Sequence, residues 1–318
     1  MHFIPLFIYF QKKRKKNMPN SDNVYLKKAR YGKDLVHLLR VYKEENIQHC
    51  TELTVKLLLE GDIETSYTKA NNSVVVTTDT CKNTINILAK KSPHVDNIEI
   101  FAQEITEHIL RQYTHISAAF VDIIKHRWSR LIVDGQAHPY AFHRDGEDVQ
   151  TTHVEHYRAG NQIHITSGLD RLLVLKTTGS TFYNFLVDQY TTLEPTWDRI
   201  FSTMINCKWT FHPKQQPALQ QIDYKAIHAA IKQITCDIFA KDDSASVQAT
   251  LYMMQQHILS TFPEIAEVSY ALPNKHYVGI DLSKFNINNK GKHTTLFHPQ
   301  ADPSGLITAT AARKESKL

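Results

Sequence analysis

His108-Ile109-Leu110, followed by Tyr113, Ile116 and His126-Arg127-Trp128, returns later as His257-Ile258-Leu259, Phe262, Ile265 and Lys275-His276-Tyr277. The offset is 149 residues and drifts by one at the final histidine. A fixed offset held across two neighbouring apolar segments marks a duplicated supersecondary unit. The flanking segments agree with that reading. Ile98, Phe101, Ile105 and Ile109 share one helical face, as do Val247, Leu251, Met254 and Ile258 in the second copy. Thr78-Asp79-Thr80 is a start signal for an earlier helix over Lys82–Lys90, and Asp223 for one that aligns Ile227, Ile231, Ile234 and Ile238.

Strand patterns enclose these helices. Leu53, Val55, Leu57 and Leu59 alternate with Thr54, Lys56 and Leu58, after a strand from about Lys33 to Tyr42. The second copy offers Leu172-Leu173-Val174-Leu175, then Ile205, Cys207, Trp209 and Phe211. Strands after the helices are expected at Ile116–Ile124 and Leu131–Val133, with Asp134-Gly135 as a hairpin turn, and at Ile265–Leu272 and Tyr277–Leu282. The pattern predicts an α+β chain of two tandem ββααββ units, each an antiparallel sheet with two helices on one face. The expected units are 25–155 and 156–310, between a disordered basic extension, 1–24, and a flexible tail, 311–318. Such units leave sheet edges free to pair with further copies.

Composition narrows the function. The 318 residues are 42% hydrophobic and 22% charged, which argues against wholesale disorder. No two of the ten glycines have the spacing of GxGxxG, the phosphate loop or the GxSxG elbow, so those signatures are absent. Cys50, Cys81, Cys207 and Cys236 are too dispersed for a CxxC site or a disulfide framework. Formal charge is +5, of which residues 1–23 supply +4, so the folded part is nearly neutral and nucleic acid is not an expected partner. Met1–Phe10 is apolar but precedes the basic block, the reverse of a secretory signal, and is shorter than the ~20 residues a membrane span needs. No membrane insertion is expected. Ser316-Lys317-Leu318 is the tripeptide read by the peroxisomal import receptor, which predicts a peroxisomal protein.

Several short segments have a chemistry of their own: Arg30-Tyr31-Gly32-Lys33, Tyr67–Ser73 leading into Val76-Thr77-Thr78-Asp79-Thr80, Phe182, Thr196-Trp197-Asp198-Arg199, Ser244–Thr250, and Leu272-Pro273-Asn274-Lys275-His276-Tyr277. Together they resemble urate oxidase (uricase), from about Tyr31 to the C-terminal Ser-Lys-Leu. The resemblance implies two tunnelling-fold (T-fold) units per chain and a homotetramer whose β-barrel encloses a tunnel, with active sites shared between subunits. It implies oxidation of urate by O2 and water to 5-hydroxyisourate and hydrogen peroxide, with neither metal nor organic cofactor. Position by position, it implies Lys33 and Thr78 as a proton relay with His276 as third member. Thr78 and Asp79 would also touch substrate. Phe182 would stack on the purine, Arg199 and Gln248 would clamp its edge, and the Val247 backbone would add a hydrogen bond. Asn274 would hold the oxygen or water site, with Leu193 and Ile307 as apolar wall.

These residue types suit the task. Urate is flat, anionic and rich in acceptors and N–H donors. A guanidinium offers a planar fork, a Gln amide both donor and acceptor, and an aromatic face fixes the ring plane. A lysine serves as a base only where its pKa is lowered. Each position also has a plainer reading: Lys33 a solvated strand-end lysine, Thr78 with Asp79 and Thr80 a helix cap, Arg199 and Gln248 surface polar residues, Phe182 core, and His276 and His126 hydrogen-bonded strand histidines. Only their joint occurrence favours the site. His153 and His156, and His138 and His143, lack cysteine support and have odd spacings that place partners on opposite strand faces, so no metal is expected there. A T-fold enzyme acting on pterins or other purines is the runner-up, though its zinc-dependent members need a Cys/His cluster not visible here. A purine-binding or crystalline-core protein without turnover is the non-enzymatic alternative. Val278-Gly279 departs from the larger residues of the resembling pattern, and a glycine there is expected to loosen or bulge the strand.

Overall fold

A computed structural model of the chain describes residues 23–213, 218–301 and 305–314. Most of the expected basic extension and the Ser316-Lys317-Leu318 signal therefore lie outside the described residues. The strands are β1 (Tyr31–Lys43), β2 (Gln48–Gly61), β3 (Ile116–His126), β4 (Ser129–Val133), β5 (Gln136–His143), β6 (Val149–Tyr157), β7 (Gln162–Lys176), β8 (Phe201–Phe211), β9 (Ile265–Lys275), β10 (Tyr277–Gly279), β11 (Phe297–Pro299) and β12 (Leu306–Ala312). The helices are the short α1 (Glu64–Thr68), then α2 (Thr78–Lys91), α3 (Ile98–Gln112), α4 (Tyr224–Lys241) and α5 (Val247–Thr261). None of the helices among the described residues is long and apolar enough to cross a membrane.

One antiparallel sheet runs in the order β1-β2-β3-β6-β7-β8-β9-β12. It consists of two ββααββ units joined by pairing of β6 with β7, from Val149 opposite Asp170 to Tyr157 opposite Gln162. Each strand turns one row of side chains to the helices. Leu53, Val55, Leu57 and Leu59 on β2 are fully buried there, as are Ile205, Cys207 and Trp209 on β8. The opposite row, including Glu52 and Lys56, lies on the helix-free face.

The duplication extends to individual hydrogen bonds. α3 and α5 have 15 residues each and begin 149 residues apart; β3 and β9 have 11 each at the same offset. Both helices end against an arginine. Arg158 donates from Nε to the Ile116 carbonyl and from Nη2 to those of Leu110 and Tyr113. Arg313 does the same to Ile265, Leu259 and Phe262. The guanidinium thereby satisfies carbonyls that the last helical turn leaves without intrahelical partners. The first strand of each unit also bulges at a matching point. Leu35 and Arg171 adopt φ of 54° and 61°. The preceding Asp34 and Asp170 carboxylates accept from their amides at 2.6 and 2.8 Å.

Five expectations need correction. Leu131–Val133 does form a strand with a turn at Asp134-Gly135, but β4 and β5 make a separate hairpin, and β6 is the fourth sheet strand of the first unit. The expected division at 155/156 falls inside β6, whereas the units meet at the turn after Tyr157. Likewise only Tyr277–Gly279 of Tyr277–Leu282 is a strand; it pairs with β11 outside the main sheet, and β12 supplies the fourth strand, so the expected tail start at 311 falls within it. Gly279 keeps regular pairing opposite Phe297, without a bulge. A Cβ there would meet Thr294 Cγ2 at 2.8 Å, so the glycine permits close approach of the 294 segment.

His228 on α4 lies tilted against the Trp209 indole, ring centroids 5.8 Å apart. Burial, helped by Lys232 and Lys125, depresses its pKa to about 4. The unfolded chain protonates this histidine near ~6.5, so between those values the unfolded state binds more protons and stability falls as pH falls. His228→Gln is expected to flatten the acid loss of stability relative to wild type between about pH 6.5 and 4, measured as urea midpoints across that window.

Candidate functional site

Gly32 sets the first part of the site. A Cβ there would lie 1.9 Å from the Leu57 carbonyl oxygen, so only glycine allows β1 to approach β2 so closely. Lys33 follows, opposite Leu57 on the helix-facing row, and the Asp34-Leu35 bulge comes directly after it. The Tyr31 hydroxyl accepts from the Val76 amide at 2.8 Å and ties the approach to α2 onto the same strand. The cap of α2 is Thr77, whose hydroxyl accepts from the Thr80 amide at 3.1 Å, so the cap reading of Thr78 shifts by one residue. Thr78 and Asp79 are therefore the first two helical residues, exposed, with amides that have no intrahelical acceptor and lie at the positive end of the helix dipole. The Asp79 carboxylate is engaged by Lys82 at 2.7 Å and Asn83 at 2.8 Å. Lys82 holds its pKa below the usual carboxylate range, with a smaller contribution from the nearby Lys33 ammonium.

The second part is assembled by the irregular segment between β7 and β8. The buried Ser180 bridges to Ser244, and Phe182 pairs with Thr196 through both backbone hydrogen bonds, at 2.8 and 2.9 Å. Arg199 donates its amide to the Ser180 carbonyl at 3.0 Å, and its Nε lies 3.4 Å from the Ser180 hydroxyl. This brings the guanidinium carbon to 5.1 Å from the Phe182 ring centroid. Burial lowers the arginine's pKa from its ordinary value. Phe185 stacks on Phe182 at 5.1 Å with planes 15° apart. The Ser180–Ser244 bridge also carries this segment to α5. There Ser246 caps through the Ala249 amide, leaving Val247 and Gln248 as the first two helical residues, again with amides free of intrahelical partners.

Asn274 lies near the end of β9 opposite Thr203, and its amide donates to the Gly305 carbonyl at 2.8 Å. A Cβ on Gly305 would stand 3.2 Å from Asn274 Nδ2 and 3.7 Å from His276 Nε2, so this glycine lets both side chains gather beside it. His276 is exposed just beyond β9, while Ile307 pairs with Leu272 and packs partly against the core. Leu193 is exposed on the connection between Phe182 and Thr196. Sequence reading passed over Gly305 and Phe185. Gly305 has no motif around it; Phe185, three residues after Phe182, was the visible signal for an aromatic stack.

The two parts do not meet within one chain. Lys33, Thr78 and Asp79 belong to the β1 edge. Asn274, on β9, is six strand spacings away in the sheet order, about 29 Å along the sheet at ~4.8 Å per strand. Nor do the clefts of about 970 Å³ and 660 Å³ join them; those are lined by α5 with the end of β12 and by the β1–β2 turn with β4 and β5.

Comparison with known proteins bears on this arrangement. The family model described as Uricase matches residues 29–155 and 165–308. A uricase of Aspergillus flavus is 46% identical over 300 residues, covering 92% of this chain and 98% of that protein. One from Schizosaccharomyces pombe is 44% identical over 297 residues, covering 92% and 100%. The crystal structure of uricase from Arthrobacter globiformis superposes with a TM-score of 0.82 at 31% identity, covering 93% of this chain and 97% of the other.

The junction behind Arg199 and α5 depends on a buried polar chain. The Ser244 hydroxyl lies 2.6 Å from that of Thr250, which donates to Asp242 at 2.6 Å. Thr250→Val keeps the shape and strands both partners. It is expected to cost ~1–3 kcal/mol, read from the urea midpoint; an unchanged midpoint would show that the network does not hold the junction.

Proposed function

Because the chain belongs to the uricase family and oxidises urate, we propose that its two residue groups are halves of one reaction site completed between subunits. The observation that carries the proposal is the grouping of Phe182, Arg199 and the start of α5. An aromatic face, a guanidinium beside it and the polar Gln248 and free Val247 amide make a shelf for a flat anion. In this reading Phe182 stacks on urate. Arg199 and Gln248 hold one edge, the Val247 amide adds a hydrogen bond, and Leu193 and Ile307 close the apolar side. Phe182 is itself held flat by Phe185.

The other half supplies proton transfer. Lys33 acts as base through the Thr78 hydroxyl, which accepts and donates at once, and His276, the third relay member, reaches in from the β9 end of the neighbouring chain. The Thr78 and Asp79 amides face the anion at a helix start. Asn274 holds O2 or water over the ring. Deprotonated urate is electron-rich enough to pass two electrons to O2 itself. Water then adds to the oxidised ring, giving 5-hydroxyisourate and hydrogen peroxide with atoms in balance, and no metal or organic cofactor is required.

Assembly follows from the same geometry. Among the described residues β1 and β12 are open edges of an eight-stranded sheet, and an open edge is satisfied by pairing with another copy. A homotetramer with a tunnel-enclosing barrel would set the β1 edge of one chain against the β8–β9 region of another. Peroxisomal localisation rests on Ser316-Lys317-Leu318, the receptor-read C-terminal signal.

Metal-stripped protein is expected to consume urate with stoichiometric peroxide. Arg199→Ala should raise the KM for urate by ten-fold or more, since it removes a charge-assisted contact present in the ground state. Lys33→Ala should mainly lower kcat, by about 10²-fold, the usual scale for a lost general base. A raised KM with normal kcat in both variants would refute the assigned roles. Removing residues 316–318 should leave specific activity intact and move the protein to the cytosol; continued import would refute the signal.

A further inference from the structure

The sheet face opposite the reaction site carries a cluster that urate oxidation does not use. His37 on β1, Glu52 on β2 and His126 on β3 each present one ligand atom, and all three atoms lie within 4.8 Å of one another. The imidazoles are nearly parallel, 18° apart with centroids 6.3 Å from each other. Between them sits the Thr54 hydroxyl, 3.3 Å from His37 Nδ1 and 2.8 Å from His126 Nε2, so both rings aim a nitrogen at one region. Glu52 is positioned from behind: its Oε2 accepts from Trp128 Nε1 at 2.7 Å and from Arg144 at 2.6 Å. That leaves Oε1 for a further partner. Anchoring of a carboxylate by outer donors in this way is what orients metal ligands.

We propose that His37, Glu52 and His126 bind one divalent transition-metal ion of the zinc class on the helix-free face. Two imidazoles and one carboxylate with remaining positions open form a donor set that borderline divalent ions accept. The duplicated unit supplies an internal control. By register, His37 opposite Thr54 corresponds to Leu173 opposite Met204, and Glu52 opposite His126 corresponds to Ser202 opposite Lys275. The same fold therefore stands in the second unit with no metal-ligating residue among those three positions, so the first unit's cluster is not a requirement of the sheet. His37 is exposed, which gives an ion a way in. The ion would staple the edge strand β1 to β2 and β3 and would take no part in the oxidation.

The test uses the full chain stripped with EDTA and dialysed free of it, titrated with CoCl2 and followed by visible absorption. One Co2+ per chain should develop a ligand-field band, ZnCl2 should abolish it, and loading with ZnCl2 should raise the melting temperature by several degrees. His37→Leu, which installs the residue of the second unit, and Glu52→Gln, which keeps the acceptor for Trp128, should each weaken binding at least ten-fold. Both should leave urate turnover unchanged. Absence of stoichiometric binding to folded protein would overturn the proposal, as would binding by the two variants as tight as that of wild type. Loss of urate oxidation with binding intact would count against the proposed reaction site alone.

Discussion

The pairing of β6 with β7 is the constraint on which the rest of the molecule depends. Nine opposed residue pairs, Val149–Asp170 through Tyr157–Gln162, fuse two units into one sheet and fix their order. Once that order is set, Lys33 belongs to an outer strand and Asn274 to the far side. No rotamer change can bring them together. In the proposed reading the chain holds two half-sites, and its chemistry depends on assembly.

Duplication gives both halves of the sheet the same supports. Both units repeat the arginine clasp at Arg158 and Arg313 and the aspartate-supported bulge at Asp34 and Asp170. What differs is what stands beside those shared devices. Lys33 precedes the first bulge, and by the same register the buried Leu169 precedes the second. In the proposed reading the first unit supplies proton transfer and the second, through the 177–200 segment, holds the flat anion. Both halves use a helix start with unspent amides, α2 in one and α5 in the other.

Much of this was legible in the sequence, for physical reasons that differ by element. Helices α2 to α5 and strands β2, β3, β8 and β9 show themselves because each buries one largely apolar row. β6 does not, since its helix-facing row includes Thr152 and the hydrogen-bonded His156 and its other row carries His153 and Glu155. β12 is an edge strand of mostly small, exposed residues, so its period is faint. The two bulges occur at Leu35 and Arg171, residue types that rarely adopt positive φ, and only the sheet forces them there. Phe182 and Arg199 lie on irregular backbone with no periodicity, so their partnership could be inferred from family resemblance but not from pattern. Gly305 was invisible because its importance is a distance to Asn274 and His276.

The central claim, that each reaction site is shared by two chains, has a direct test in subunit mixing. Inactive Lys33→Ala and inactive Arg199→Ala chains are denatured, combined in equal amounts and refolded. Under two-fold pairing half of the dimers are mixed, and in each of those one site carries both lesions while the other carries neither. The account predicts recovery of roughly a quarter of wild-type activity, with each parent alone remaining near zero. Recovery of nothing, while wild-type protein refolds fully in parallel, would place the whole site within one chain and contradict it.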